Sequence, residues 1–353
     1  MAHFYPLRVA RIERLTSESV AITLDPAASG GNFSFIPGQY LTLKLQVDGH
    51  EYRRSYSISS APNESMLTIG VKAIPNGTVS VYMNQNLKEG DVLQSMEPMG
   101  NFHPIMSSSH VPKHFVCFAA GSGITPILSI IKWATQLSQQ HKVTLFYGNT
   151  SHASAMFHNE LSQLAQAHEG LDVIHLFTDR SSGVPLESGR IDFQKTWDLM
   201  RAFVADDLPK SFFICGPSGM MKAVQEGLEG LGYYKDQIHM EHFSEPDVAP
   251  VQKEVPVVGE GTQARVMITL DGTETQIMLD PNGDSILDAA LDHGLDAPYS
   301  CRGGVCTTCR AKVTEGVVEM DNNYALTDGE INEGYVLACQ SHPKSAVVRL
   351  TWD

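Results

Sequence analysis

Four of the six cysteines lie near the C-terminal end of the chain. Cys301, Cys306 and Cys309 form a C-x4-C-x2-C array, and Cys339 follows after 29 intervening residues. This spacing suits a [2Fe–2S] centre. Two irons bridged by two sulfides need four thiolates around a compact rhomb. A tight loop can present three of them from one side, while the fourth must arrive on another element. Gly303 and Gly304 allow unusual backbone angles and close approach of amide N–H groups to the sulfurs. Such contacts stabilise the anionic cluster and tune its potential, and Arg302 adds a local positive charge. A structural zinc site usually presents two short cysteine pairs, and this array holds only one C-x2-C.

Four further patches carry chemistry of a different kind. Arg54-Ser55-Tyr56-Ser57 lies in a strand beginning near Tyr52, where Arg54 and Tyr56 share one face and Ser55 and Ser57 the other. Gly77-Thr78-Val79-Ser80 is a turn that opens a helix, a place where backbone N–H groups suit an anion. Gly121-Ser122-Gly123-Ile124-Thr125-Pro126 follows an apolar run directly, the context in which dinucleotides bind, although Pro126 stands where G-x-G-x-x-G has its third glycine. Cys215-Gly216-Pro217 ends a later apolar run. Cys117 has no such context and reads as core.

The surrounding pattern divides the chain. Residues 1–108 read as an antiparallel β-barrel, with short stretches such as 20–24, 40–45 and 67–71 separated by Gly, Pro and Asn turns. Residues 109–243 read as an α/β domain with a parallel sheet. The continuous apolar run 114–120 predicts a strand buried on both faces; strands at 143–147, 173–177 and 211–215 alternate with helices at 127–137, 155–168 and 220–231. Residues 244–263, with three prolines and two glycines, read as a linker. Residues 264–353 form a third unit, an α+β domain with an Asp271-Gly272 hairpin and an amphipathic helix over 284–291.

Together these motifs resemble the ferredoxin–NADP reductase superfamily with a C-terminal plant-type ferredoxin domain. Pro98-Met99-Gly100-Asn101-Phe102 is similar to the segment that closes the flavin barrel in that superfamily. The resemblance implies a β-grasp-like fold for the third unit, with Cys301, Cys306, Cys309 and Cys339 holding the cluster. It also implies FAD bound by Arg54 at a phosphate, Tyr56 stacked on the isoalloxazine, Ser57 near flavin N5, and Gly77 and Ser80 at the diphosphate, FMN being less suited to a diphosphate turn. NADH or NADPH would bind over Gly121, Gly123, Thr125, Pro126, Cys215 and Gly216, with the Cys215 thiol near nicotinamide C4, and Phe243 would cover the flavin. Arg180 would favour a 2′-phosphate and Asp179 oppose it, which leaves the choice of nucleotide open.

The implied activity is transfer of hydride from nicotinamide to flavin, then of single electrons through the cluster to an oxygenase component. The cofactors carry this chemistry, so no side chain is expected to act as general acid or base. Stretches such as Pro37-Gly38-Gln39 and Gly334-Tyr335-Val336-Leu337 resemble reductase components whose acceptor is a di-iron oxygenase acting on phenylacetyl-CoA. Another oxygenase, a desaturase, a hybrid-cluster protein or a sensor role without turnover remain as alternatives.

Bulk properties agree with this. The 353 residues carry a net charge of −15, against a nucleic-acid partner. From Ala264 onward there are 14 acidic and 6 basic residues, which suits either a solvated surface or a docking face for a basic partner. No apolar run approaches a membrane span and the N-terminus lacks a signal pattern, so a cytoplasmic protein with no membrane partner is expected.

Overall fold

One Asp-Gly turn sets the register of a hairpin in the first sheet. Asp48 and Gly49 have φ of 51° and 80°, the left-handed pair that closes a two-residue hairpin with the twist of its strands. They join β3 (Tyr40–Val47) to β4 (His50–Ser57). The other strands are β1 (Tyr5–Thr16), β2 (Ser19–Asp25), β5 (Leu67–Lys72) and β6 (Val92–Ser95), with helix α1 (Thr78–Gln85) between the last two. The order β4-β3-β6-β1-β2-β5 is antiparallel at each pairing. A bridge from Ile58 to Ile69 brings the two edges together and closes the barrel.

The computed structural model describes residues 2–104, 111–179, 183–205, 207–244 and 263–352. Apart from its two end residues, the stretch read as a linker lies outside the described residues, and so does Arg180.

The second sheet has the order β11-β10-β7-β8-β9 and is parallel throughout. Its strands are β7 (His114–Ala120), β8 (Lys142–Asn149), β9 (Leu171–Phe177), β10 (Lys210–Cys215) and β11 (Ile238–Glu241). Helices α2 (Ile124–Leu137), α3 (His158–Ala167), α4 (Phe193–Phe203) and α5 (Ser218–Gly230) connect them. Helices cover both faces of a parallel sheet, which is why β7 is apolar along nearly its whole length. Cys117 lies fully buried in that strand, as expected, and burial raises its thiol pKa. Three of the helices extend the predicted segments by two or three residues at the N-terminal end or lose as many.

The barrel and this sheet share a core. Phe102 of the barrel-closing segment meets Phe213 of β10 edge-on at 5.6 Å, and Ser129 of α2 donates to the Ser60 carbonyl at 2.7 Å. Aromatic edge contacts of this kind add about 0.5–1.5 kcal/mol beyond the area they bury.

The third unit holds β12 (Ala264–Leu270), β13 (Thr273–Leu279), helix α6 (Ile286–Asp292), β14 (Arg310–Glu315), β15 (Val318–Met320), helix α7 (Asp328–Asn332), β16 (Tyr335–Leu337), β17 (Ser341–Pro343) and β18 (Val347–Thr351). Its main sheet has the order β13-β12-β18-β14-β16, with β12 and β18 parallel and the other pairs antiparallel. The Asp271-Gly272 turn falls where predicted, with φ of 50° and 71°. Helix α6 packs its buried Ile286, Leu287, Ala289 and Ala290 on the same core as Leu337 and Ala338. The cluster loop lies between α6 and β14, and Cys339 follows β16.

Candidate functional site

The cysteine loop is shaped before any thiol is considered. Arg302 and Gly304 both have left-handed backbones, with φ of 57° and 75°. The turn folds so that the Gly303 N–H donates to Cys301 Sγ at 3.4 Å. The Arg302 guanidinium is paired with the Asp288 carboxylate of α6. Gln340 braces the fourth ligand: its Nε2 donates to the Arg302 carbonyl at 3.0 Å and lies 3.7 Å from Cys339 Sγ.

The four thiols converge. Cys306 Sγ lies 3.1 Å from Cys301 Sγ, Cys339 is within hydrogen-bonding reach of both Cys301 and Cys309, and all four are free thiols. Hydrogen bonds from Cys306 and Cys339 hold the Cys301 thiol far below its ordinary pKa, while those same contacts, with burial, raise Cys306 and Cys339. Among the described residues no set of three or more ligating side chains has the arrangement of a single-ion cage. Four cysteine sulfurs gathered at one loop, with a backbone N–H aimed at Cys301 Sγ, fit an anionic binuclear cluster.

Next to this loop lies a cavity of about 1060 Å³. Arg54, Tyr56, Ser57, Ser80, Thr125 and Phe243 line it, and Cys301 and Cys306 reach it from the ferredoxin side. The structure therefore brings together predicted residues from all three sheets. Tyr56 has its phenol pKa pushed up to about 12, chiefly by burial, so it presents a neutral ring. Arg54 is exposed at the cavity wall and donates one N–H to the Arg53 carbonyl at 2.7 Å. Phe243 is 47% exposed, an apolar ring held beside an open cavity. The Ser80 hydroxyl accepts the Ile74 N–H at 3.1 Å, so it also fixes the turn in which Gly77 precedes α1.

Gly77, Gly121, Gly123, Pro126, Cys215 and Gly216 do not line this cavity. Gly77 lies in the turn before α1, and the others gather where the turn leading into α2 meets the end of β10. A Cβ on Gly123 would stand 2.1 Å from the Cys215 carbonyl oxygen and 2.9 Å from the Gly216 nitrogen, so only glycine allows the first turn to approach the Cys215-Gly216 segment. Thr125 Oγ1 donates to the Ser122 carbonyl at 3.0 Å, and Gly121, with φ of 54°, accepts from the Tyr147 hydroxyl at 3.1 Å. Cys215 is fully buried, and burial followed by the nearby Glu241 raises its thiol pKa. The Asp179 N–H donates to the Thr150 carbonyl at 3.0 Å, which fixes the backbone just ahead of the position expected to face a 2′-phosphate.

Glu241 is the functional candidate that sequence reasoning missed. It lies beside Cys215 in the β10–β11 register and accepts a hydrogen bond from Ser57 Oγ at 2.9 Å. Burial raises its pKa to about 8, against a smaller lowering from the Ser57 hydrogen bond. A carboxyl that titrates near neutrality, bonded to a hydroxyl in the cavity, can hold or release a proton there. Its signal in the sequence was only a place in Glu241-His242-Phe243, at the end of the nucleotide domain.

A flavin-sized cavity at a barrel strand, a Gly-rich turn opening a helix at the carboxyl end of a parallel strand, and four clustered thiols together define an electron-transfer oxidoreductase. Comparison with known proteins gives the same three parts. Protein-family models match in chain order: an oxidoreductase FAD-binding domain over residues 6–103, an oxidoreductase NAD-binding domain over 118–226, and a 2Fe-2S iron-sulfur cluster binding domain over 268–344. One component of the 1,2-phenylacetyl-CoA epoxidase of Escherichia coli strain K12 is 37% identical over 355 residues, covering 100% of this chain and 99% of that protein. The 3-ketosteroid-9-alpha-monooxygenase ferredoxin reductase component of Mycolicibacterium smegmatis is 33% identical over 363 residues, covering 100% and 98%. Among solved structures, phthalate dioxygenase reductase superposes with a TM-score of 0.61 at 23% identity, covering 99% of this chain and 98% of that one, which shows a shared fold.

The chain belongs to the ferredoxin–NADP reductase-like family whose members carry a C-terminal [2Fe–2S] ferredoxin domain. It is an NAD(P)H oxidoreductase that uses FAD and a [2Fe–2S] cluster. No helix among the described residues is long and apolar enough to cross a membrane.

Proposed function

We propose that this reductase delivers electrons to an oxygenase component, and that this component is a di-iron enzyme acting on phenylacetyl-CoA. The observation that carries the choice of acceptor is the 37% identity, end to end, with the epoxidase component of E. coli. The 33% identity with the ketosteroid monooxygenase reductase keeps a different oxygenase as the second reading.

The residues at the cavity divide the work. A flavin held in this cavity would supply the conversion from a hydride's electron pair to the single electrons a [2Fe–2S] cluster takes. Tyr56 supplies a flat, neutral face for the isoalloxazine and Phe243 an apolar cover for the other side. Arg54 provides positive charge for a flavin phosphate, and the turn from Gly77 to Ser80 offers backbone N–H groups to the diphosphate. Gly121, Gly123, Thr125 and Pro126 shape the nucleotide turn, and Cys215 and Gly216 bound the place for the nicotinamide. Ser57 orients the flavin edge, and Glu241 behind it holds a proton within reach of that hydroxyl. Cys301, Cys306, Cys309 and Cys339 would hold the cluster, and Cys301 and Cys306 line the same cavity, which would place it beside the flavin.

Reconstitution tests both levels. The purified chain with NADH or NADPH should support turnover of phenylacetyl-CoA by the di-iron oxygenase, and Cys339→Ser should abolish that turnover while leaving flavin reduction intact. Support of a ketosteroid oxygenase, with none for the di-iron enzyme, would overturn the choice of acceptor. Loss of flavin reduction in Cys339→Ser would overturn the separation of the two centres.

A further inference from the structure

Strand β4 alternates between two jobs. All four residues from Arg53 to Tyr56 line the flavin cavity, and Arg53 and Ser55 in addition hydrogen-bond to the ferredoxin unit. Arg53 is only 7% exposed. Its guanidinium donates to Asp296 Oδ1 at 3.0 Å, to the Ala297 carbonyl at 3.4 Å and to Glu51 Oε1 at 3.0 Å. The same group lies 4.4 Å from the centroid of the Tyr299 ring and 5.1 Å from that of Phe4. Asp296, Ala297 and Tyr299 lead directly into Cys301, so Arg53 grips the segment that carries the first cluster ligand.

A row of hydroxyls continues the contact. Ser55 Oγ donates to Ser300 Oγ at 2.8 Å, and Thr42 Oγ1 lies 3.0 Å from Thr308 Oγ1. The Tyr40 hydroxyl accepts the Thr307 N–H at 2.9 Å and lies 3.0 Å from Thr307 Oγ1. Ser300, Thr307 and Thr308 flank Cys301, Cys306 and Cys309. The barrel thus touches the loop beside three of its four thiols through directional, polar contacts. Such an interface fixes orientation while remaining separable in water, because these mostly buried hydroxyls and the guanidinium are readily hydrated once they part. A buried bidentate-capable cation is the element most sensitive to loss.

We infer that Arg53 is a positioning residue for passage of electrons from flavin to cluster: with the hydroxyls of Tyr40, Thr42 and Ser55 it docks the cluster loop on the flavin barrel. The inference rests on the reading that FAD occupies the cavity beside Tyr56. It assigns the two adjacent arginines to different cofactors, Arg54 to the flavin and Arg53 to the cluster domain.

The test uses the full chain loaded with FAD and cluster, in two variants, Arg53→Gln and Asp296→Asn. Stopped-flow absorbance follows bleaching of the flavin by NADH, freeze-quench paramagnetic resonance follows the reduced cluster, and small-angle scattering gives the radius of gyration of the oxidised protein. Flavin bleaching should keep its wild-type rate, the cluster signal should lag by about tenfold or more, and the radius of gyration should rise as undocked molecules accumulate. Asp296 has a 42% exposed side chain on the ferredoxin side, so its variant keeps the test open if Arg53→Gln does not fold. The inference stands only if lag and expansion both appear, with flavin bleaching intact, in every variant that folds; any other pattern overturns it. Absence of a flavin or cluster signal from the wild-type protein would overturn the cofactor assignment, and this inference with it.

Discussion

Glu241→Gln should make the protein's stability less dependent on pH, and the structure gives the size of the effect. The carboxyl moves from an ordinary value of 4.5 to about 8 in the folded chain because it is buried beside Cys215 with one hydrogen bond from Ser57. A raised carboxyl pKa means that the folded state holds the proton more tightly than the unfolded state. Stability is therefore greatest below about pH 4.5, falls as pH rises through the interval, and reaches its lower plateau above about pH 8. At about 1.4 kcal/mol per pH unit the full shift corresponds to an upper bound of roughly 5 kcal/mol. Part of the side chain faces the open cavity, where water screens the charge, so a loss of about 1–3 kcal/mol is the working value. Glutamine keeps the shape and the hydrogen-bonding capacity but has no charge to bury. Thermal or urea unfolding at a series of pH values from 5 to about 9 should show the wild type weakening by that amount relative to Glu241→Gln, with the two converging at the acid end. Parallel curves would refute the burial argument, because every other titrating group is common to both proteins.

Two smaller perturbations address the flavin and nucleotide parts separately. Tyr56→Ala removes an aromatic face from the cavity wall; losing its stacking and apolar contact should weaken FAD binding by about 10- to 100-fold, read by fluorescence titration of the apoprotein. Unchanged affinity would remove Tyr56 from the flavin site. Gly123→Ala places a Cβ 2.1 Å from the Cys215 carbonyl oxygen, so backbone must move at a cost of about 1–3 kcal/mol. A lower Tm with a raised KM for the nicotinamide nucleotide, at unchanged FAD content, is the expected pattern; a normal KM would separate that close approach from nucleotide binding.

What could be read in the sequence was chemistry whose geometry is local. The cluster loop is legible because three thiolates within nine residues, with Gly303 and Gly304 between them, restrict the backbone to a few shapes, and the structure uses left-handed angles at Arg302 and Gly304 to realise one. The Asp271-Gly272 hairpin is legible for the same reason, and the equivalent Asp48-Gly49 turn carried the same signal without being singled out. Period-two alternation correctly placed Arg54 and Tyr56 on one side of β4, because a strand has only two faces. Alternation says nothing of what each face meets.

That limit explains the two misses. Ser57 meets Glu241 across 184 positions of sequence, and Arg53 meets Asp296 across 243. Neither contact belongs to a motif with fixed spacing; each exists because the three units come together at one cavity. Glu241 owes its raised pKa to burial, and Arg53 is buried against Asp296, Ala297 and Tyr299 of the ferredoxin unit. A reductase of this kind must bring a two-electron acceptor and a one-electron carrier close while keeping their binding sites on independent folds. Residues that join the folds are therefore the ones least visible in the chain, and they stand beside the motif residues: Arg53 next to Arg54, Ser55 next to Tyr56, Ser300 next to Cys301. In β4 the residues next to those proposed to bind the flavin make the contacts to the ferredoxin unit, and one peptide unit is the shortest mechanical link between the two.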